Sequence, residues 1–170
     1  MTKHDMNMFD PRHKFVTLNE MIALVELLRK QKKVVVTTNG CFDILHPGHT
    51  KMLEWARTQG DLLIVGINSD ASVKRLKGPE RPINNEEDRA YMLGALRPVD
   101  YVLIYDEDSP RGWLKRIRPD VHVKGGGSAS DSAFELEKRF IESLGGTMRL
   151  APFLEGHSTT KIVEQMHKRR

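Results

Sequence analysis

The chain predicts an α/β fold, a Rossmann-like, doubly wound sheet of about five parallel strands with helices on both faces. Three observations carry that prediction. Short apolar runs such as "VVVTT" (34–38) and "DLLIVGIN" (61–68) read as buried strands. Amphipathic stretches with caps lie between the runs. The strand–helix alternation leaves a dozen or more residues for each crossover, which is what parallel neighbours require. With 170 residues, 39% of them hydrophobic and 29% charged, the chain has the size and mixture of one globular domain.

Residues 1–16 are polar and aperiodic and read as a flexible terminal arm, leaving 17–170 as a single domain. "TLNEMIALVELLRKQKK" carries a helical apolar stripe from Met21 to Leu28, with Thr17 as N-cap and Glu20 completing a capping box. After the first strand, residues 47–58 read as a helix, opened by Pro47 and stopped by Gly60. "DLLIVGIN" is the second strand. The basic residues of 72–89 lie in or beside a loop bearing Gly and Pro, and "NNEEDRAYMLGAL" is a helix capped by Asn84 or Asn85. "VDYVLIY" is the third strand, "SPRGWLKRIR" a short helix opened by Ser109 and Pro110, and "DVHVKG" the fourth strand. Residues 132–144 form a further helix ended by Gly145 and Gly146, "TMRLAPF" is the fifth strand, and a last helix begins near Ser158.

Composition excludes several classes of function. The net charge of +4 arises in part from "HKRR" at the end and "KQKK" after the first helix, and no nucleic-acid reading motif accompanies it. Apolar runs fall far short of the roughly 20 residues a membrane span needs, and the first residues lack the apolar centre of a signal peptide. The reading is a cytoplasmic protein without nucleic-acid or membrane partners. One cysteine, Cys41, leaves no internal disulfide.

The chemistry concentrates in three places. In "TTNGCFDILHPGHTKM" (37–52), His46 and His49 stand three apart in the first turn of a helix, where open N–H groups and the dipole already favour an anion. Solvated surface histidines are the plain alternative. Zinc would have only these two plus Cys41 or Asp43, where a structural site wants four ligands. "EGHSTTKI" (155–162) places Ser158, Thr159 and Thr160 at a second helix start, where one N-cap hydroxyl would suffice and three suggest another phosphate. Lys74, Arg75, Lys77, Arg81 and Arg89 cluster in or beside the loop after the second strand, either as a solvated face or as cations for a phosphoryl centre. Neither G-x-x-x-x-G-K-[ST] nor a G-x-G-x-x-G after the first strand occurs, and "KGGGS" (124–128) is too weak alone to count.

"NGCFDILHPGH" followed by "HSTTKI" resembles the paired signature of the H-x-G-H nucleotidyltransferase superfamily. With "VGINSDASVKRLKGPERPINNEEDRAYMLGALRPVDYV" and "RPDVHVKGG" between them, these segments are similar to the branch that adenylylates D-glycero-β-D-manno-heptose 1-phosphate in ADP-heptose synthesis, over about residues 17–165. The resemblance implies transfer of AMP from ATP, with Mg2+, to a sugar 1-phosphate, for lipopolysaccharide or a related glycoconjugate. It assigns His46 and His49 to the triphosphate and the transition state. Asn39, Gly40, Cys41, Phe42 and Asp43 fall on the turn that approaches the phosphates. Lys77 matches a lysine that bridges the substrates, and Arg89, with Asp70 and Lys74, a substrate contact. Lys124 and Gly125 fall on the nucleotide side, and Ser158, Thr159 and Thr160 on the motif holding the β- and γ-phosphates.

The chain departs from the pattern at Gly127, where relatives often carry Asp, and at His157, where they carry tyrosine or isoleucine. Phe153 and Leu154 precede "EG", where glycerol-3-phosphate cytidylyltransferases tend to have Arg-Thr. Relatives imply a homodimer or higher homo-oligomer, and a sugar kinase as a separate protein. The rival readings are a cytidylyl- or guanylyltransferase acting on another small phosphate such as glycerol 3-phosphate, and a non-catalytic nucleotide-binding module.

Overall fold

The computed structural model describes residues 10–126 and 132–152. Helix α1, Leu18–Lys30, starts at a full capping box: the Thr17 hydroxyl accepts from the Glu20 N–H at 3.3 Å, and the Glu20 carboxylate accepts from the Thr17 N–H at 2.7 Å. Strand β1, Val35–Gly40, leads through a tight turn into α2, Pro47–Arg57. Strand β2, Leu62–Asn68, is followed by α3, Asp70–Lys77, and α4, Glu86–Gly94. Strand β3, Tyr101–Tyr105, α5, Arg111–Ile117, β4, Val121–Lys124, α6, Ser132–Ser143, and β5, Thr147–Leu150, complete the described elements.

The five strands are all parallel, in the order β3-β2-β1-β4-β5. The chain winds outward from β1 first to one side and then to the other, so the order reverses between β1 and β4. In open sheets of this kind the crevice for ligands lies at the carboxyl ends of the strands at that reversal.

Neighbouring residues of the central strands feed opposite cores, as the two-residue period of a strand demands. Val36, Leu63, Val65 and Ile67 pack with Met52, Leu53 and Ala56 of α2 and Ala90 and Leu93 of α4. Val35, Leu62 and Ile64 pack on the other face with Met21 and Val25 of α1, Trp113, Leu114 and Ile117 of α5, and Phe134 and Ile141 of α6. Gly66 lets α5 approach closely: a Cβ there would stand 2.5 Å from Cζ2 of the fully buried Trp113.

At the amino edge of the sheet three carboxylates satisfy strand-entry N–H groups. Asp61 accepts from Val34 at 2.7 Å, Asp100 from Leu63 at 2.7 Å and Asp120 from Val35 at 2.8 Å. Such bonds to ionised acceptors are the stronger kind.

Two expectations change. The segment 72–89 is not a loop throughout, because Ser69 caps α3 through the Ser72 N–H at 3.1 Å and Gly78, at φ +99°, closes it. The second half of the arm 1–16 is docked. Pro11–Lys14 form a 3-10 turn with Pro11 buried, Val16 N–H donates to Val102 O at 3.1 Å, and the Lys14 ammonium donates to Val99 O at 2.7 Å. The last helix, with Ser158, Thr159 and Thr160, and the departures at Gly127, Phe153, Leu154 and His157 lie outside the described residues.

Candidate active site

β1 ends in the turn 39–43, which holds one backbone outlier: Phe42 sits at φ +48°, a left-handed conformation that costs a bulky L-residue roughly 1–2 kcal/mol. Such strain persists where the surroundings over-determine it. Here Arg89, whose side chain is 0% exposed, donates to the Cys41 carbonyl at 2.7 Å, to the Asn84 carbonyl at 3.0 Å and to the Asp70 carboxylate at 2.8 Å. Asp43, also buried, accepts from the Ile83 N–H at 2.7 Å, the Asn84 N–H at 3.0 Å and Arg81 Nε at 2.5 Å. The turn is therefore braced from both sides, which fixes where its backbone meets a ligand.

The turn delivers the chain into α2. His46 is the N-cap residue, with an extended backbone (φ −146°, ψ 165°), and Pro47 pre-sets the first helical φ. The rings of His46 and His49 stack with centroids 3.8 Å apart and planes 21° from parallel, while Phe42 packs against His49, tilted by 56° with centroids 5.0 Å apart. Burial, with the His46 charge beside it, pushes the His49 imidazole down to about 4, so it is neutral at pH 7. Its Nδ1 is buried with no hydrogen-bond partner among the described residues.

Beside this helix start opens a cleft of about 640 Å3. One wall is the turn from Asn39 to Asp43 with His49, the floor is Asn68 and Tyr105 from the ends of β2 and β3, and the lip is Leu76, Lys77, Arg81 and Asp108. The floor is polar and uncharged. Asn39 donates its amide to the Tyr105 hydroxyl at 3.3 Å, that hydroxyl donates to Asn68 Oδ1 at 3.1 Å, and Asn68 donates to Ser72 Oγ at 3.0 Å. Burial pushes the Tyr105 phenol up to about 12, so it keeps its proton. Burial likewise pushes the Cys41 thiol up, which leaves it a weak nucleophile.

Asn39, Gly40, Cys41, Phe42, Asp43, His49 and Lys77 thus meet at one cleft, with His46 stacked against it. Lys124 and Gly125 stand at the end of β4 on the far side of β1, in the reversal crevice, where the Lys124 ammonium is bound to Glu137. Three of the residues expected at the substrate are engaged by the protein or turned to solvent. Arg89 is wholly buried and donates to Cys41, Asn84 and Asp70. Asp70 is Arg89's ion-pair partner, and Lys74 is exposed on α3 without lining the cleft. The Asp43 carboxylate binds the 81–84 segment, while the residue stays on the turn that lines the cleft. Sequence reasoning missed the floor, Asn68 and Tyr105, and its signal was only that both are polar residues closing apolar strands.

The family model for cytidylyltransferase-like proteins matches residues 37–165. The chain belongs to that family. Among curated relatives, the bifunctional protein HldE of a Nitratiruptor species is 49% identical over 157 residues, 92% of this chain and 33% of that one. The bifunctional protein HldE of Syntrophotalea carbinolica is 48% identical over 143 residues, 84% of this chain and 29% of that one. The chain spans about a third of the length of the curated relatives it matches. Among solved structures, the lipopolysaccharide core biosynthesis protein from Thermoplasma volcanium GSS1 superposes with TM-score 0.60 at 30% identity, covering 72% of this chain and 99% of that one. The α/β sheet is therefore shared with that solved structure.

Proposed function

We propose that the protein transfers the AMP group of ATP to D-glycero-β-D-manno-heptose 1-phosphate, forming ADP-heptose and pyrophosphate for lipopolysaccharide or a related glycoconjugate. The observation that carries the reading is the pairing of a phosphate-favouring helix start at His46 and His49 with an uncharged, hydrogen-bonding floor of Asn39, Asn68 and Tyr105. A helix start suits the transferring phosphoryl, and amides with a phenol suit the hydroxyls of a sugar. The long similarity to heptose adenylyltransferases through residues 65–102, and relatives called HldE, support the same acceptor.

In this reading an oxygen of the sugar phosphate forms a bond to the α-phosphorus of ATP while the bond to the bridging oxygen breaks, and pyrophosphate leaves. A phosphate monoester has its second pKa at about 6, so the acceptor is largely dianionic at pH 7 and needs no general base. The site accordingly supplies positioning and donors, which is what governs phosphoryl transfer. His46 and His49 donate to charge that grows on the transferring group and the leaving oxygen, and Lys77 neutralises charge at the lip. No group of three or more metal-ligating side chains occurs among the described residues. Mg2+ enters as part of the Mg·ATP substrate, held by the triphosphate.

The test is pyrophosphate release by the purified protein with Mg·ATP, comparing both anomers of D-glycero-D-manno-heptose 1-phosphate, glycerol 3-phosphate and no acceptor. Release with the β anomer alone is expected. Release only with CTP or GTP would transfer the reaction to another nucleotide, and silence with every nucleotide would refute catalysis.

A further inference from the structure

We propose that Arg81 is the residue that grips the phosphate of the acceptor, and that Asp43 is the positioning residue that aims it. The inference rests on the nucleotidyl transfer described above and adds to it the residue that receives the acceptor.

Three features on different elements lead there. First, Arg81 is the cation of the lip that the protein itself fixes in place: its side chain is 24% exposed, it lines the cleft, and its Nε is bonded to Asp43, whose side chain is 2% exposed. Using Nε for the anchor leaves the two terminal nitrogens of the guanidinium, which have no partner among the described residues. A planar fork held in this way presents the paired N–H groups that match a phosphate. Second, Asp43 is tied to the same segment by the Ile83 and Asn84 N–H groups, and the Asn84 side chain donates to the Asp43 carbonyl at 2.5 Å. The anchor therefore joins the 81–84 segment to the turn that precedes the histidine helix, and Arg81 keeps a fixed distance from the reacting centre. Third, topology separates the two substrates. The reversal crevice between β1 and β4 is the place for the nucleotide, with Lys124 and Gly125 on its β4 side. Arg81 lies on the other side of β1, over the ends of β2 and β3, with the neutral floor below it. A ligand there has its anionic end at Arg81 and Lys77 and its hydroxyls on Asn39, Asn68 and Tyr105, which is the chemistry of a sugar phosphate.

Steady-state kinetics of Arg81→Gln, Arg81→Lys and Asp43→Asn test the assignment, with acceptor and Mg·ATP varied separately and Mg·ATP affinity measured by calorimetry. Arg81→Gln should raise the acceptor KM by about 10- to 100-fold, the scale of lost charge-assisted bonds, and leave Mg·ATP affinity within about twofold. Arg81→Lys, which keeps the charge but not the fork, should recover part of that loss. Asp43→Asn should raise the acceptor KM in the same direction with Arg81 still present. An equal loss of Mg·ATP affinity in Arg81→Gln would make Arg81 a triphosphate contact and overturn the proposal, as would an unchanged acceptor KM. Thermal unfolding of each variant separates these results from misfolding, and Arg81→Lys is the variant that carries the test if Arg81→Gln is unstable. If the wild type used glycerol 3-phosphate and no heptose phosphate, the substrate reading would fail while the same kinetics with glycerol 3-phosphate still judged Arg81.

Discussion

Acid should weaken this fold through His49. In the folded chain the imidazole titrates at about 4 against an ordinary 6.5, because burial and the neighbouring His46 oppose its charge. As the pH falls from 6.5 towards 4 the unfolded chain takes up a proton at this residue and the folded chain does not, so folding stability drops across that window and levels off below it. A gap of about 2.5 pH units corresponds to about 3.4 kcal/mol, and partial solvent access reduces the expectation to about 2 kcal/mol. The assay is urea unfolding at pH 7 and pH 4.5 for the wild type and for His49→Gln, which keeps an amide donor but does not titrate. The wild type should lose about 2 kcal/mol more than the variant between the two pH values. Parallel losses in both proteins would refute the assignment of a buried, neutral imidazole. The same variant should show a kcat lower by about 10²-fold, the scale of one missing donor at a developing charge.

Two other substitutions probe the frame around the site. Arg89→Met removes a buried guanidinium that serves two carbonyls and Asp70, and should cost about 3–5 kcal/mol in urea unfolding while abolishing pyrophosphate release; a stable Arg89→Met protein with impaired acceptor binding alone would instead make Arg89 a ligand contact. Gly66→Ala drives a methyl into Trp113 and should cost about 1–3 kcal/mol with the denaturant slope unchanged, read by urea unfolding.

The sequence made the α/β order legible because its central strands are apolar at consecutive positions and its helices carry caps, Thr17 and Asn85 among them. The turn 39–43 and the histidine helix were legible for the same reason: they are contiguous, and their chemistry is written in one short stretch. α3 was not, since "DASVKRLK" offers only Ala71, Val73 and Leu76 as apolar positions and its charges read as a loop, although Ser69 and Gly78 mark both of its ends. Arg89 read as a substrate contact or a solvated cation amid "NNEEDR", and only the fold shows that it faces inward. Asn68 and Tyr105 come from two strands that meet through parallel pairing, which no local pattern announces; Arg81 was legible as a loop cation, but its anchor on Asp43 was not. Asp10 before Pro11 was a cap signal in a stretch whose polarity concealed it.

Asp61, Asp100 and Asp120 fasten the entrances of the strands, and the residues that line the cleft from β1, β2 and β3 stand at their exits. The seven residues of β2 set those two ends about 20 Å apart. Anchorage and reactivity are thus assigned to opposite rims of one sheet, and substitutions at the exit of β2 or β3 that reshape Asn68 or Tyr105 leave the entrance ties untouched. A new acceptor preference can therefore evolve, or be engineered, by redecorating one rim while the other continues to hold the strands in register.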